Sequence, residues 1–165
     1  MPEFVMNGKY EPEFKALPEM VAGFIEAMFF TECSCESSED WFSGETQEGL
    51  REGTIDGTLP NDVGFAELHP DSLKQIMAFC DAFEAVAHDL LELAYQRDYD
   101  AMQAGRDLWY TSQGHGVGFW DRDELEADDL GDKLSNLCRY HEANVWFADH
   151  VEYGNEPFVY CEISF

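Results

Sequence analysis

Met20, Val21, Phe24, Ile25, Met28 and Phe29 recur at the i, i+4, i+5, i+8, i+9 spacing of one buried helical face. Pro18 suits a first helical turn, where its missing N–H costs nothing, so a helix is expected from Pro18 to about Thr31. A longer stripe runs through Leu73, Ile76, Met77, Cys80, Phe83, Val86, Ala87, Leu90 and Leu91 without interruption. His69-Pro70-Asp71-Ser72 opens it, and it is expected to end near Tyr95 and to be the central helix of the domain.

After Gly105 the pattern changes. Asp107-Leu108-Trp109-Tyr110-Thr111 has the composition of a strand, Ser112 to Gly118 that of a turn, and Val117, Phe119 and Trp120 that of a returning strand. This predicts a β-hairpin with a wide loop. Asp128, Asp129 and Asp132 suit a helix N-terminus through the helix dipole, and Leu130, Leu134, Leu137, Cys138 and His141 give that helix its apolar stripe. Val145-Trp146-Phe147 and Phe158-Val159-Tyr160-Cys161 read as two further short strands, with Tyr153-Gly154-Asn155 as their turn.

Two stretches carry no clear period. Residues 1–17 read as a loose arm or a short first element. Residues 32–66 are rich in Glu, Asp, Gly and Ser, with only Trp41, Phe42, Leu50 and Ile55 scattered through them. A structureless loop that long is uncommon in a compact domain, so 32–66 reads as an acidic insert, either mobile or a functional surface. The sum is one domain over residues 1–165 of α+β class: a small antiparallel sheet with helices packed on one face.

Composition supports a folded chain and then adds an anomaly. The 165 residues are 45% hydrophobic and 15% aromatic, enough for a core. Against 9 basic residues stand 35 acidic ones, a net charge of −26. Such a chain is repelled by free DNA, free RNA and anionic membrane surfaces, and drawn to basic ones. Either the charge serves solubility or a high-salt setting, or it docks on a basic, nucleic-acid-binding face of another protein. The five Cys show no framework spacing; Cys80, Cys138 and Cys161 sit inside apolar patterns and Cys33 close to one, which fits a reduced state. The start MPEFVMNGKY lacks a basic, apolar leader, and the longest apolar stretch, Met20 to Phe30, is short and contains Glu26. These features predict a cytoplasmic protein.

The run from Gly105 to Arg122, GRDLWYTSQGHGVGFWDR, is the most distinctive segment. It resembles a hallmark of uncharacterised proteins of bacteriophages and related mobile elements, whose usual pattern reads AGHDFWLTRNGHGAGFWDR. Leu130-Gly131-Asp132-Lys133-Leu134 resembles the helix start that follows in that family, and Leu68 to Leu73 resembles its upstream helix start. A weaker similarity surrounds Phe24 to Glu32. Arg106 stands where the pattern has His, Ser112-Gln113 where it has Arg-Asn, and the sequence from Asp149 to Asn155 replaces a shorter Asp-Asp-Gly turn. The resemblance implies a phage or mobile-element setting inside a bacterial host cell. It implies no activity.

Candidate chemistry gathers in the same run. Gly114-His115-Gly116-Val117-Gly118 is able to hold a titratable ring at a loop tip that a ligand can approach closely, or simply to be a turn that needs positive φ. Phe119-Trp120-Asp121-Arg122, with Trp109, reads as a recognition patch; the structural alternative is Trp109 packed across strands on Trp120, with Asp121 or Asp107 bonding Arg122. Cys33 and Cys35 with Cys138 and His141 have zinc-ligand chemistry, but Cys-x-Cys is not the usual zinc spacing and the helical pair lies on a core stripe. Asp121, Asp123, Glu124, Glu126, Asp128 and Asp129 lack the Gly and the fifth ligand of a calcium loop. No phosphate loop, nucleophile elbow or zinc-protease helix motif is present, so neither metal nor cofactor is expected.

These readings favour a protein that acts by binding. Its expected partner is a basic protein surface, such as a host DNA-processing or defence enzyme, with Glu36, Glu39, Asp40, Glu45, Glu48, Glu124, Glu126, Asp128 and Asp129 as the acidic face. Acidic side chains about 5–6 Å apart on helix faces imitate the charge density of DNA. The alternative is a small enzyme or ligand-binding protein that uses the Gly-His-Gly loop. A structural phage component is a third class, without coiled-coil or repeat signals to support it.

Overall fold

The computed structural model describes residues 11–31, 48, 52, 64–138, 142–148 and 158–164. A short α1 (Pro12–Lys15) precedes α2 (Glu19–Phe30), α3 (Pro70–Tyr95), α4 (Ala101–Ser112) and α5 (Leu130–Cys138). Single 3-10 turns occupy Phe65–Glu67, Phe119–Asp121, Asp123–Leu125 and Ala127–Asp129. Strands β1 (Glu142–Ala148) and β2 (Phe158–Ser164) pair antiparallel, with Glu142 opposite Ser164 and Ala148 opposite Phe158.

The helix expected from Pro18 forms where its pattern places it, but it buries far more than one face. Every residue from Met20 to Phe29 is buried, including Gly23 and Glu26. A helix buried all round sits inside a domain rather than on it. Full burial of Phe24, Ile25 and Met28 contributes roughly 1.5–3 kcal/mol each before ordering entropy is subtracted. The central helix is therefore α2, and the expectation for α3 is corrected. The start and end of α3 agree with the sequence, yet only one stripe of it is buried: Ser72, Ile76, Phe79, Cys80, Phe83, Ala87, Leu91 and Ala94. Val86, assigned to that stripe by its spacing, is 66% exposed.

The predicted β-hairpin is not formed, and with it the α+β assignment falls. Residues 101–112 are helical, and 119–121 form a 3-10 turn. The described residues are predominantly helical; their regular β structure is a two-stranded ribbon, not a sheet that carries helices on one face. Local strand preference at Leu108-Trp109-Tyr110-Thr111 loses to tertiary burial, because that preference is worth little beside packing. Asp100 caps α4 by accepting a hydrogen bond from the Gln103 N–H at 2.7 Å. Ala104 and Leu108, one helical turn apart, are both fully buried. Gly105, after which the sequence pattern changes, is the contact point with α2. A Cβ on Gly105 would collide with the Met20 carbonyl, and one on Gly23 with the Met102 carbonyl. The two backbones thus touch through a pair of glycines.

The C-terminal ribbon docks on the start of α3. Val159 and Cys161 are buried. The Ser72 hydroxyl accepts from the Cys161 N–H at 2.9 Å, and the His69 N–H donates to the Val159 carbonyl at 2.9 Å. Strands at 145–147 and 158–161 agree with the sequence. The expected turn at 153–155 lies outside the described residues, as do His141 and, apart from residues 48, 52 and 64–66, the acidic insert. Of the uncertain first 17 residues, α1 gives 12–15 a defined place, with the buried Phe14 ring edge-on to Phe65 at 5.3 Å.

Candidate partner-binding cleft

The Gly-His-Gly run closes a helix rather than tipping a hairpin. The Gly114 N–H donates to the Thr111 carbonyl at 3.2 Å and the His115 N–H to the Tyr110 carbonyl at 2.9 Å. Gly114 has φ +70°, the left-handed conformation that such a helix end requires. The half-buried His115 ring lies edge-on to Tyr110 at 5.8 Å and tilted against Trp109 at 6.5 Å. Among the described residues no carboxylate is hydrogen-bonded to that ring, so it lacks the oriented partner of an acid–base dyad.

Beyond this cap the chain is anchored twice. Phe119 is fully buried and stacks on Phe83 at 5.7 Å. Arg122 then turns back to Asp107, whose side chain is wholly buried. Arg122 Nη2 donates to Asp107 Oδ1 at 2.6 Å, and Arg122 Nε donates to both carboxylate oxygens at 3.0 Å. The Tyr99 hydroxyl donates to Asp107 Oδ2 at 2.7 Å, and the Gln103 amide to Oδ1 at 3.2 Å. A buried carboxylate needs this density of donors to remain in place. The hydrogen bond to Asp107 raises the Arg122 pKa, against the opposing effect of burial. Burial, followed by the Asp107 charge and hydrogen bond, pushes the Tyr99 hydroxyl far above its ordinary range. One residue earlier on α4, Arg106 Nε donates to Glu26 Oε1 at 3.0 Å, tying α4 to α2.

Trp120, between these anchors, is 50% exposed. It lines a cleft of about 460 Å³ together with Asp121, Arg122, Asp123, Glu126, Asp129 and Asp132. A smaller hollow of about 190 Å³, lined by Tyr99, Gln103 and Arg106 with Asp98, Asp100 and Glu124, shares Arg122 with it. Asp98, Asp128 and Asp129 all have positive φ, which for a side chain other than glycine is uncommon. Arg97 holds the turn at Ala127–Asp129: its Nη1 donates to the Ala127 carbonyl and its Nη2 to Asp128 Oδ2, each at 2.7 Å.

The residues singled out from the sequence therefore separate. Trp109 and Phe119 belong to the core, and Trp109 Nε1 donates to the Thr31 hydroxyl at 2.8 Å, so Trp109 does not face Trp120 across strands. Gly118 is buried, while Gly114 and Gly116 are exposed turn positions. Trp120, Asp121 and Arg122 do meet, joined by Glu126 and Asp129, whereas Glu124 faces the smaller hollow. Glu48 is exposed; Glu36, Glu39, Asp40 and Glu45, like Cys33 and Cys35, lie outside the described residues. Cys138 is buried and its thiol is pushed up to about 12 by burial, which disfavours the thiolate a metal needs. Among the described residues no group of three or more His, Cys, Asp or Glu is placed to hold a metal ion. Asp123 and Asp132 belong to the cleft, and Tyr99 and Gln103 to the network behind it. In the sequence Asp123 stood out only within an acidic run that lacks the calcium-loop pattern and Asp132 only as a helix-start charge, and nothing local marks Tyr99 as a partner of Asp107.

No protein-family model, curated protein or solved structure matches this chain. No helix among the described residues is long and apolar enough to cross a membrane.

Proposed function

We propose that this protein acts by binding, and that it occupies a basic surface of a DNA-handling protein as an acidic mimic of the nucleic acid. The observation that carries this reading is the edge from residue 121 to residue 132. Asp121, Asp123, Glu124, Glu126, Asp128, Asp129 and Asp132 are all exposed there, on a segment pinned by Phe119, Arg122 and Leu125 to the core. Rigid placement matters, because carboxylates held in position do not have to be ordered when a partner arrives. The Arg within the edge is already neutralised by Asp107, so it offsets little of the surrounding charge. The phage resemblance of the 105–122 run adds a setting: a bacterial cytoplasm, with a host defence or DNA-processing enzyme as the target.

Capture experiments test this. The immobilised protein is exposed to bacterial lysate at low salt, and bound material is eluted by rising salt and, separately, by duplex DNA. A DNA-handling protein released by both treatments supports the mimic. Retention of nothing by the wild-type chain at low salt removes it, because a charge-driven complex is strongest there.

A further inference from the structure

We propose that the cleft beside Trp120 seats an arginine side chain of the partner. The proposal rests on the binding role above and deepens it from a charged edge to a defined anchor point. The cleft is concave, and its volume of about 460 Å³ lies within the range of pockets that hold a side chain or small ligand. Its wall includes a half-exposed indole, on a chain whose other large aromatics at this corner, Trp109 and Phe119, are buried. An exposed Trp between two firmly packed anchors is not explained by core packing. It is held in place by Phe119 on one side and by the Arg122–Asp107 pair on the other. Aromatic and Arg residues are the usual centres of interfaces, and an indole face attracts a cation.

The charge around the indole selects the occupant. Asp121, Asp123, Glu126, Asp129 and Asp132 line the cleft, and its Arg122 is bound to Asp107. An anion is excluded, and an uncharged apolar group would strand the carboxylates. A guanidinium fits both features: its planar face stacks on an indole, while its N–H fork pairs with carboxylates at the edge. An ammonium gains the charge attraction but is more strongly hydrated and cannot stack in this way. An arginine that normally grips DNA phosphate is the kind of group this cleft would capture.

The test uses the full chain and two labelled probes, a tetra-arginine and a tetra-lysine peptide, with affinity read by fluorescence anisotropy at low salt. The tetra-arginine peptide is expected to bind the wild type more tightly than the tetra-lysine peptide. Trp120→Ala should weaken the arginine complex by about tenfold, in line with a partly desolvated cation–π contact. Glu126→Gln should weaken it several-fold, whereas Asp81→Asn, which removes an equal charge from the exposed face of α3 and does not line the cleft, should leave it within about twofold, as expected for a solvent-screened charge. Trp120 is half exposed, so its variant should remain folded; circular dichroism checks this, and Glu126→Gln gives the same answer independently. If peptide binds but Asp81→Asn costs as much as the cleft variants, or lysine binds as well as arginine, the anchor is overturned while the basic-partner reading survives. If neither peptide nor any lysate protein binds the wild type, both fall.

Discussion

Asp107 on α4 and Arg122 beyond its cap, 15 residues apart, form a paired contact of 2.6 and 3.0 Å around a carboxylate with no solvent exposure. The pair closes the loop that carries the Gly-His-Gly cap and fixes where Trp120 emerges. Removing one partner strands the other charge. Arg122→Met is therefore expected to cost roughly 3–5 kcal/mol, lowering the melting temperature by about 6–20 °C. The triple change Tyr99→Phe, Asp107→Leu, Arg122→Met removes the ion pair and the Tyr99 hydroxyl together, leaving the partly exposed Gln103 its contact with Arg106, and should lose less than Arg122→Met alone. Thermal unfolding of the two variants decides this; a larger loss in the triple variant would show that the network contributes net stability.

Gly23 and Gly105 make a second test of the fold. In an ordinary helix Gly→Ala gains about 1 kcal/mol from propensity. Here the added methyl meets backbone that cannot give way easily, so Gly23→Ala and Gly105→Ala should each destabilise by roughly 1–3 kcal/mol in urea unfolding. A gain in stability at either position would mean that α2 and α4 do not touch there.

The glycines of the Gly-His-Gly run should differ from each other. Gly114 has φ +70° and open space around it, so Gly114→Ala should cost roughly 1–2 kcal/mol from backbone strain alone. Gly116 has open space and no such φ, so Gly116→Ala should be close to neutral. Equal effects at both positions would contradict the helix-cap assignment.

Alkaline pH should unfold the protein in a defined window. Burial raises the Cys138 thiol from 9.0 to about 12 and the Tyr95 hydroxyl from 10.0 to about 12. Burial also raises Cys80, Tyr99 and Tyr110. Each group stays protonated in the folded chain while its unfolded counterpart ionises, so the folded state binds more protons above pH 9. The stability these groups contribute is complete below pH 9 and falls as pH rises toward 12. Urea unfolding between these limits should show a steady decline, and a flat profile would contradict the burial of these groups.

Thiol chemistry checks the same burial locally. Cys80 and Cys138 should resist iodoacetamide at pH about 8 in the native state and react once urea is added, because the reactive species is the thiolate. Peptide mapping of the alkylated sites reads the result. Rapid native labelling of Cys138 would place α5 away from the core.

The sequence by itself determined the elements whose apolar spacing is regular and whose ends are marked. The residues of α3 from Pro70 to Tyr95, the start of α5 at Leu130 and the strand runs at 145–147 and 158–161 fall into this group. It also determined the net charge, which is additive and needs no fold. Tertiary structure decided the rest. The run from Asp107 to Thr111 has strand-like residues, but the gain from burying Ala104 and Leu108 and laying Gly105 and Trp109 against α2 exceeds that local preference. Gly105 reads locally as the point where the pattern changes and becomes a helix–helix contact only once α2, with Gly23, lies against it. The Asp107–Arg122 pair was legible as a pairing of residue types, but its complete burial depends on Tyr99 and Gln103, which no spacing rule places beside it. Trp109 and Trp120 look equivalent in the chain, and packing sends one to the core and leaves the other at the cleft. Burial is a property of all elements together, which is why the acidic residues were visible in the sequence and the cleft they line was not.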